Sequence, residues 1–243
     1  MMTDNEWLQV RANFPILTRQ IHGKPLVYLD SANTSQKPDV VISAVDDFYR
    51  QHNANVSRAV HQLGAEATEA YEGSRKKLAN FLNIHPNDLI LTSGTTQAIN
   101  LVAYAFALPR LQVGDIILVS RMEHHANMVP WQLIAERTGA HVLPVEITDN
   151  GELDLAKLKA QLKAPVKILA LTHVSNVLGT INPVVEICSW ARKAGITTVI
   201  DGSQAVPHMT VDIASIGCDF YAFTGHKICG PTGTGGLWAK REH

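Results

Sequence analysis

Short apolar runs alternate with helical patterns along most of the chain. Seven of these runs are predicted to be strands, at residues 88–92, 116–120, 142–145, 168–172, 197–200, 220–223 and 236–239. Between the earlier runs, apolar residues recur at helical spacing, and helices are predicted to begin near Thr96, Asn127, Asp154 and Pro183. Strands that alternate with helices predict an α/β fold with a mostly parallel sheet flanked by helices on both faces.

Two longer helical patterns precede the first strand. They cover residues 38–53 and 65–82, and Pro38 suits the first turn of the former. The connection between the runs 220–223 and 236–239 is short, which permits one of these two strands to run antiparallel.

Composition and charge narrow the class of protein. The chain has 243 residues, of which 46% are hydrophobic, so it can bury a sizeable core. Its 21 Lys and Arg nearly balance its 22 Asp and Glu, which disfavours a nucleic-acid-binding protein. The cysteines, Cys188, Cys218 and Cys229, form no C-x-x-C pair, which argues against a disulfide framework or a zinc ribbon.

Targeting signals are not evident in the sequence. The first ten residues are polar and acidic and lack the pattern of a secretion signal. The longest apolar stretch, near residues 99–108, is too short to span a bilayer. We therefore expect a cytoplasmic protein without a membrane partner.

Polar residues follow the predicted strands, at the sheet edge where open α/β sheets bind ligands. The turn that contains Gly94, Thr95 and Thr96 offers backbone N–H groups and hydroxyls to a phosphate, although an ordinary helix N-cap fits equally well. His124 could stack on a cofactor ring or transfer a proton, or could simply bond locally. Its neighbour His125 points elsewhere on a helix, so no metal site is predicted.

Three further strand ends add candidate chemistry. Asn176 could bond a ligand oxygen or belong to a turn. Asp201 follows a buried strand and could pair with a pyridinium nitrogen, or cap a helix. Lys227 could form a Schiff base, or could be a solvated lysine, and Thr224 and His226 beside it could bind phosphate. Taken together, these groups are the set that pyridoxal phosphate requires.

At these positions the sequence resembles the aminotransferase class V branch of the fold-type-I pyridoxal-phosphate enzymes, and within it the cysteine desulfurases. The landmarks of the resemblance are residues 28–32, 94–96, 123–127, 172–179, 199–205 and 225–227. The Glu-His-His-Ala-Asn block at 123–127 favours the group II desulfurases of sulfur-mobilisation systems and the similar selenocysteine lyases. The resemblance implies the fold-type-I large domain.

The resemblance also implies a role for each site residue. Lys227 would bind the cofactor covalently and then move the substrate's Cα proton, and His124 would stack on the ring and assist proton transfer. Asp201 would pair with the pyridine nitrogen. Asn176 and Gln204 would contact the phenolic oxygen or the substrate side. The phosphate would be held by Thr95, Thr96, Thr224 and His226.

For the whole chain, the resemblance implies an N-terminal arm at residues 1–30 and an incomplete pyridoxal-phosphate-binding large domain at 31–243, without the family's C-terminal small domain. That small domain carries the nucleophilic cysteine, and Cys229 is not expected to replace it. The full-length protein would be a homodimer that converts L-cysteine to L-alanine. It would pass sulfur, as a persulfide, to an acceptor protein for iron–sulfur cluster or other sulfur-cofactor assembly.

Other functions remain open at this stage. One alternative is a selenocysteine lyase, acting on L-selenocysteine, or another class V enzyme. The other is a non-catalytic chain that binds the cofactor only, since the nucleophilic thiol is missing.

Overall fold

A seven-stranded sheet forms the centre of the part of the chain, residues 3–58 and 60–243, that the computed structural model describes. A two-stranded hairpin precedes it. The strands are β1 Gln20–Ile21, β2 Lys24–Pro25, β3 Leu89–Thr92, β4 Ile116–Ser120, β5 His141–Val145, β6 Val166–Thr172, β7 Thr197–Asp201, β8 Phe220–Thr224 and β9 Gly235–Ala239.

The strand order in the large sheet is β3-β9-β8-β7-β6-β4-β5. Strands β5, β4, β6, β7 and β8 pair in parallel, whereas β9 runs antiparallel to both β8 and β3. The structure therefore confirms the mostly parallel sheet, and β9 is the antiparallel strand that the short connection allowed.

Helices cover the sheet. The α-helices are α1 Asp4–Ala12, α2 Asp39–Asp47, α3 Gln62–Phe81, α4 Thr95–Leu101, α5 Val129–Thr138, α6 Leu155–Gln161, α7 Val184–Lys193, α8 Ala205–His208 and α9 Ile213–Ile216. Short 3₁₀ turns lie at Pro15–Thr18, Pro86–Asp88, His125–Asn127 and Gly225–Lys227, and π-helical turns at Phe48–His52 and Val102–Ala107.

The two faces of the sheet bury separate cores, because neighbouring side chains of a strand point to opposite faces. In β6, Leu169 and Leu171 pack in one cluster with side chains of α7 and α9. Ile168 and Ala170 pack in the other cluster with side chains of α4 and α5. Burial on both faces explains why this strand reads as a continuous apolar run.

One predicted helix is partly wrong. Residues 38–53 were expected to form a single α-helix, but α2 ends at Asp47 and a π-helical turn occupies Phe48–His52. A π turn contains about one residue more than an α-helical turn. An apolar pattern as short as this one does not distinguish the two periods. The other predicted helices and strands are present, with ends shifted by a few residues.

Of the predicted arm at residues 1–30, Met1 and Met2 lie outside the described residues, as does Ala59 of the predicted domain. The rest of the arm contains α1, a 3₁₀ turn and the β1–β2 hairpin, and α1 buries no residue. Within residues 3–58 and 60–243, every helix is too short or too polar to cross a membrane.

Candidate active site

A cleft of about 260 Å³ lies at the carboxyl ends of the central strands. His124 follows β4, Thr172 ends β6, Asp201 ends β7 and Thr224 ends β8, and all four line the cleft. Because β4, β6, β7 and β8 are parallel neighbours, their carboxyl ends meet at one edge of the sheet.

The cleft brings together all nine residues predicted to bind a cofactor. They are Thr95, Thr96, His124, Asn176, Asp201, Gln204, Thr224, His226 and Lys227. The first and last of them, Thr95 and Lys227, are separated by more than half the chain, so it is the fold that brings them together in one site. Their individual roles remain predictions.

The turn before α4 packs closely against the last residue of β8 and the first residue of β9. Gly94 has a φ of 147°, and a Cβ on it would lie 3.3 Å from the Thr224 hydroxyl oxygen. A Cβ on Gly235 would fall 2.5 Å from the Gly94 Cα, so both positions require glycine. The Thr95 and Ser203 hydroxyls are hydrogen-bonded at 2.6 Å, which joins this turn to the turn after β7.

Gln97 holds the same turn from within α4. Its Oε1 accepts a hydrogen bond of 2.6 Å from the Ser93 N–H. The Thr96 side chain, by contrast, is exposed at the cleft. The hydroxyl of Thr96 is thus available to a ligand, while one backbone donor of the turn is already used by the protein.

His124 presents an exposed imidazole to the cleft. Its Nδ1 accepts a hydrogen bond of 3.1 Å from the Ala126 N–H, so a neutral ring carries its proton on Nε2. The next residue, His125, has its ring centroid 6.2 Å away at a steep interplanar angle and does not line the cleft.

Asp201 is buried, with 4% of its surface exposed, and borders the cleft. Among the described residues, its carboxylate accepts a side-chain hydrogen bond from the Ser203 N–H alone, at 2.9 Å through Oδ1. A buried carboxylate with so few donors is costly unless a cationic partner approaches it. Oδ2 is therefore suited to an N–H⁺ group in the cleft.

Lys227 ends the 3₁₀ turn after β8 and is half-buried. Burial lowers the pKa of its amine below the usual value, and the charge of Asp201 partly opposes that decrease. Burial, together with the nearby Lys227 and Lys37, also lowers the pKa of His226. A lysine whose pKa is lowered by desolvation is a better nucleophile at neutral pH.

Asn176 and Gln204 border the cleft from two different loops. Asn176 is half-buried in the turn that follows β6. Gln204 is buried, and its Nε2 donates a hydrogen bond of 2.6 Å to the Ala32 carbonyl. The amide donor of Gln204 thus fixes the N-terminal segment.

That N-terminal segment, residues 32–37, is the part of the site that sequence reasoning missed. The Ser35 hydroxyl and the Lys37 amine donate to the His226 carbonyl at 3.0 and 2.8 Å, next to Lys227. Asn33 itself lines the cleft. The adjoining landmark at residues 28–32 was a signal that could have indicated these residues.

In the part of the chain that the structure describes, the three thiols and the one cluster of possible metal ligands lie outside the cleft. Cys188 and Cys218 are buried, and burial raises the pKa of Cys188 to about 12. Cys229 is partly exposed but does not line the cleft. Asp219, Glu242 and His243 form a group close enough to share an ion, also away from the cleft.

Comparisons with known proteins agree with this architecture. Residues 27–243 match the family Aminotransferase class-V. A probable cysteine desulfurase from Xylella fastidiosa is 64% identical over 241 residues, which are 99% of this chain and 58% of the relative. A cysteine desulfurase from Cronobacter sakazakii is 48% identical over 96% of this chain and 58% of its own length.

Solved structures give the same result for the fold. The apo structure of a cysteine desulfurase from Thermococcus onnurineus superposes with a TM-score of 0.91 at 35% identity, over 100% of this chain and 58% of that one. Cysteine desulfurase CsdA (S-sulfonic acid) from Escherichia coli gives a TM-score of 0.86 at 41% identity, over 97% and 58%. The chain thus spans about 58% of the length of these relatives. It belongs to the aminotransferase class-V family.

Proposed function

We propose that this chain forms the cofactor-binding part of a pyridoxal-phosphate-dependent cysteine desulfurase. The observation that carries the proposal is that one cleft is lined by both the buried Asp201 carboxylate and the half-buried Lys227 amine. The turn that contains Gly94 and several hydroxyl groups border the same cleft. The resemblance of the chain to cysteine desulfurases supports the choice within the family.

The residues of the cleft fit pyridoxal phosphate. The buried carboxylate of Asp201 needs a cationic N–H partner, which the pyridine ring of the cofactor offers. The hydroxyls of Thr95, Thr96 and Thr224, with His226, would hold the phosphate. The His124 imidazole would lie against the ring, and Asn176 and Gln204 would contact its polar edge. When bound, the cofactor withdraws electrons from the α-carbon of an amino acid.

Lys227 has the properties of a proton-transfer group. Burial lowers the pKa of its amine, so a larger fraction of Nζ is unprotonated at neutral pH than for an exposed lysine. An unprotonated Nζ can bind a carbonyl carbon and can also accept a proton from carbon. Hydrogen bonds from Ser35 and Lys37 to the adjacent His226 carbonyl hold the backbone at Lys227 in place.

The sulfur-transfer step requires a thiolate, and no cysteine of the described residues lines the cleft. Cys188 and Cys218 are buried and have raised thiol pKa values, and Cys229 does not line the cleft. We therefore expect the 243 residues alone to bind the cofactor without releasing alanine and sulfur from L-cysteine at the rate of a whole relative. This observation also favours the second candidate function, cofactor binding without turnover.

For the whole protein we propose L-cysteine, or L-selenocysteine, as the substrate and L-alanine as the product. The sulfur would leave as a persulfide for an acceptor protein that serves iron–sulfur cluster or other sulfur-cofactor assembly. The working form would be a cytoplasmic homodimer. The domain division at residue 30 and the absence of a required metal are part of the same proposal.

The first test is an absorption spectrum of the purified protein with pyridoxal phosphate, before and after Lys227→Ala. We expect a visible band in the wild type that is lost in the variant. After reduction with borohydride, we expect a stable cofactor adduct on the peptide containing Lys227. Lys193→Ala, at the end of α7, is the matched control and should leave the band unchanged. A folded wild type without such a band would contradict the proposal.

Alanine release distinguishes the two candidate functions. If the protein shows the visible cofactor band but releases no alanine from L-cysteine, these 243 residues bind the cofactor without turnover. Release at the rate of a full-length relative would show instead that they contain a working nucleophile.

A further inference from the structure

Glu123 precedes His124 and does not line the cleft, but its carboxylate joins the ends of two strands. Its Oε1 accepts hydrogen bonds from the Ser120 hydroxyl at 2.5 Å and from the Thr172 N–H at 2.7 Å. Its Oε2 accepts one from the Asn127 Nδ2 at 2.7 Å. The residue retains some exposed surface, but both carboxylate oxygens are bonded to protein.

Trp131 determines which partner donates and which accepts in the hydrogen bond between Asn127 and Glu123. The Trp131 indole N–H can only donate, and it donates to the Asn127 Oδ1 at 3.0 Å. Asn127 must therefore present its Nδ2 to Glu123, whose Oε2 must accept. Trp131 and Asn127 are fully buried, so water does not offer an alternative partner. Both oxygens of Glu123 are thus required as acceptors.

The same hydrogen bonds reach residues of the cleft. The Asn127 N–H donates to the His124 carbonyl at 2.8 Å, which fixes the backbone that carries the imidazole. Thr172 lines the cleft and pairs with Asp201 across β6 and β7. The position of Glu123 is therefore coupled to two sides of the cleft at once.

We propose that Glu123 is a positioning residue, which holds His124 and Thr172 in the arrangement that binds the cofactor; this inference rests on the proposed function. Burial and the nearby Asp201 charge raise the pKa of Glu123 to about 8. Its proton then lies on Oε1 toward the Ser120 oxygen, the one partner of the three that can accept. The bonds from Thr172 and Asn127 are therefore retained in both protonation states.

Glutamine has the shape of glutamate but cannot replace it here. In one orientation its NH₂ group faces the Asn127 NH₂, and in the other it faces the Thr172 N–H, so one pair of donors is always opposed. Adding Asn127→Asp removes the conflict, because the new carboxylate would accept both from the Trp131 indole and from the NH₂ group of the new glutamine. The oxygen of that glutamine would then accept from the Thr172 N–H. The double variant removes one acidic residue and adds another, so the number of acidic residues is unchanged.

The first part of the test uses the protein without cofactor. We expect Glu123→Gln to speed hydrogen exchange of the Thr172 amide and to shift the Trp131 indole N–H signal in the NMR spectrum. Glu123→Gln combined with Asn127→Asp should restore both. Glu136→Gln, an exposed glutamate on α5, is the matched control and should change neither. Unchanged Thr172 exchange in folded Glu123→Gln, or no recovery in the double variant, would overturn the inference.

The second part measures the dissociation constant of pyridoxal phosphate and the visible circular dichroism of the bound cofactor. We expect Glu123→Gln to weaken binding by about tenfold, the order seen when a support of a binding group is lost, and to alter the dichroism. The double variant should recover both. If Glu123→Gln does not fold, the test rests on the double variant. The inference requires the double variant to fold and to bind the cofactor as the wild type does, and its failure to do so would overturn the inference.

The two proposals fail in different ways. A wild type that binds no pyridoxal phosphate overturns the proposed function, whatever the Thr172 amide shows. A wild type that binds, with a Glu123→Gln variant of equal affinity and dichroism, overturns the positioning role alone.

Discussion

Protonation of Glu123 links stability to pH at the scale of one residue. Its pKa is raised to about 8 in the folded protein, against about 4.3 in an unfolded chain, so folding favours its protonated form. The stabilisation this provides is full below about pH 4.3 and is lost as the pH rises through the folded pKa. We therefore expect the wild type to lose stability relative to Glu123→Gln between about pH 5 and 8.

Urea unfolding at several pH values measures this difference. The change in relative unfolding free energy should exceed about 1 kcal/mol, because one pKa unit corresponds to about 1.4 kcal/mol. The variant carries its own cost from the opposed donors, but that cost does not vary with pH. Glu136→Gln should show a constant offset. A constant offset for Glu123→Gln as well would contradict the prediction.

At the scale of elements, the approach of the turn after β7 to β8 depends on Gly202. Its N–H donates to the Ala222 carbonyl at 2.8 Å, and a Cβ on Gly202 would overlap the Tyr221 ring. Tyr221 is fully buried and its hydroxyl is hydrogen-bonded to the His173 Nδ1 at 2.9 Å. An added methyl group would therefore displace Tyr221 or the turn that carries Asp201.

We expect Gly202→Ala to destabilise the protein by about 1–3 kcal/mol, as overpacked cores do. Gly73→Ala is the matched control, because a Cβ at that position in α3 meets no atom within 4 Å. In a helix interior that change should stabilise by about 0.5–1 kcal/mol. Urea midpoints compare the two. Equal midpoints for Gly202→Ala and the wild type would contradict the packing argument.

The sequence predicted a strand, a helix or a site residue where the local spacing of apolar and polar residues indicates it. The apolar run at β6 is readable because both faces of that strand are buried. Asp201 and Lys227 are readable because Asp201 ends β7 and Lys227 follows the end of β8 by three residues. The hydrogen bond between Thr34 and the His226 carbonyl spans 192 positions, and no local pattern encodes it. The acceptor role of Glu123 depends equally on a distant donor, Thr172.

At the scale of the whole molecule, the two cores contrast with an apolar surface formed by α2 and the π-helical turn that follows it. Ile42, Val45 and Tyr49 have 48%, 40% and 68% of their surface exposed, and α2 buries no residue. We call these three residues the α2 patch. Exposed apolar residues clustered on one helix face are typical of surfaces that bind another protein. The patch is thus a candidate contact surface for the proposed homodimer.

We expect the purified protein to self-associate through the α2 patch, because association removes these side chains from water. Ile42→Lys with Tyr49→Ser should lower the mass seen in sedimentation velocity toward the 26.6 kDa of one chain. It should also reduce the fluorescence of a bound apolar dye. Val113→Lys changes an isolated valine that is 85% exposed, and should alter neither signal. A wild type that already sediments as a single chain at high concentration would show that the patch does not drive association.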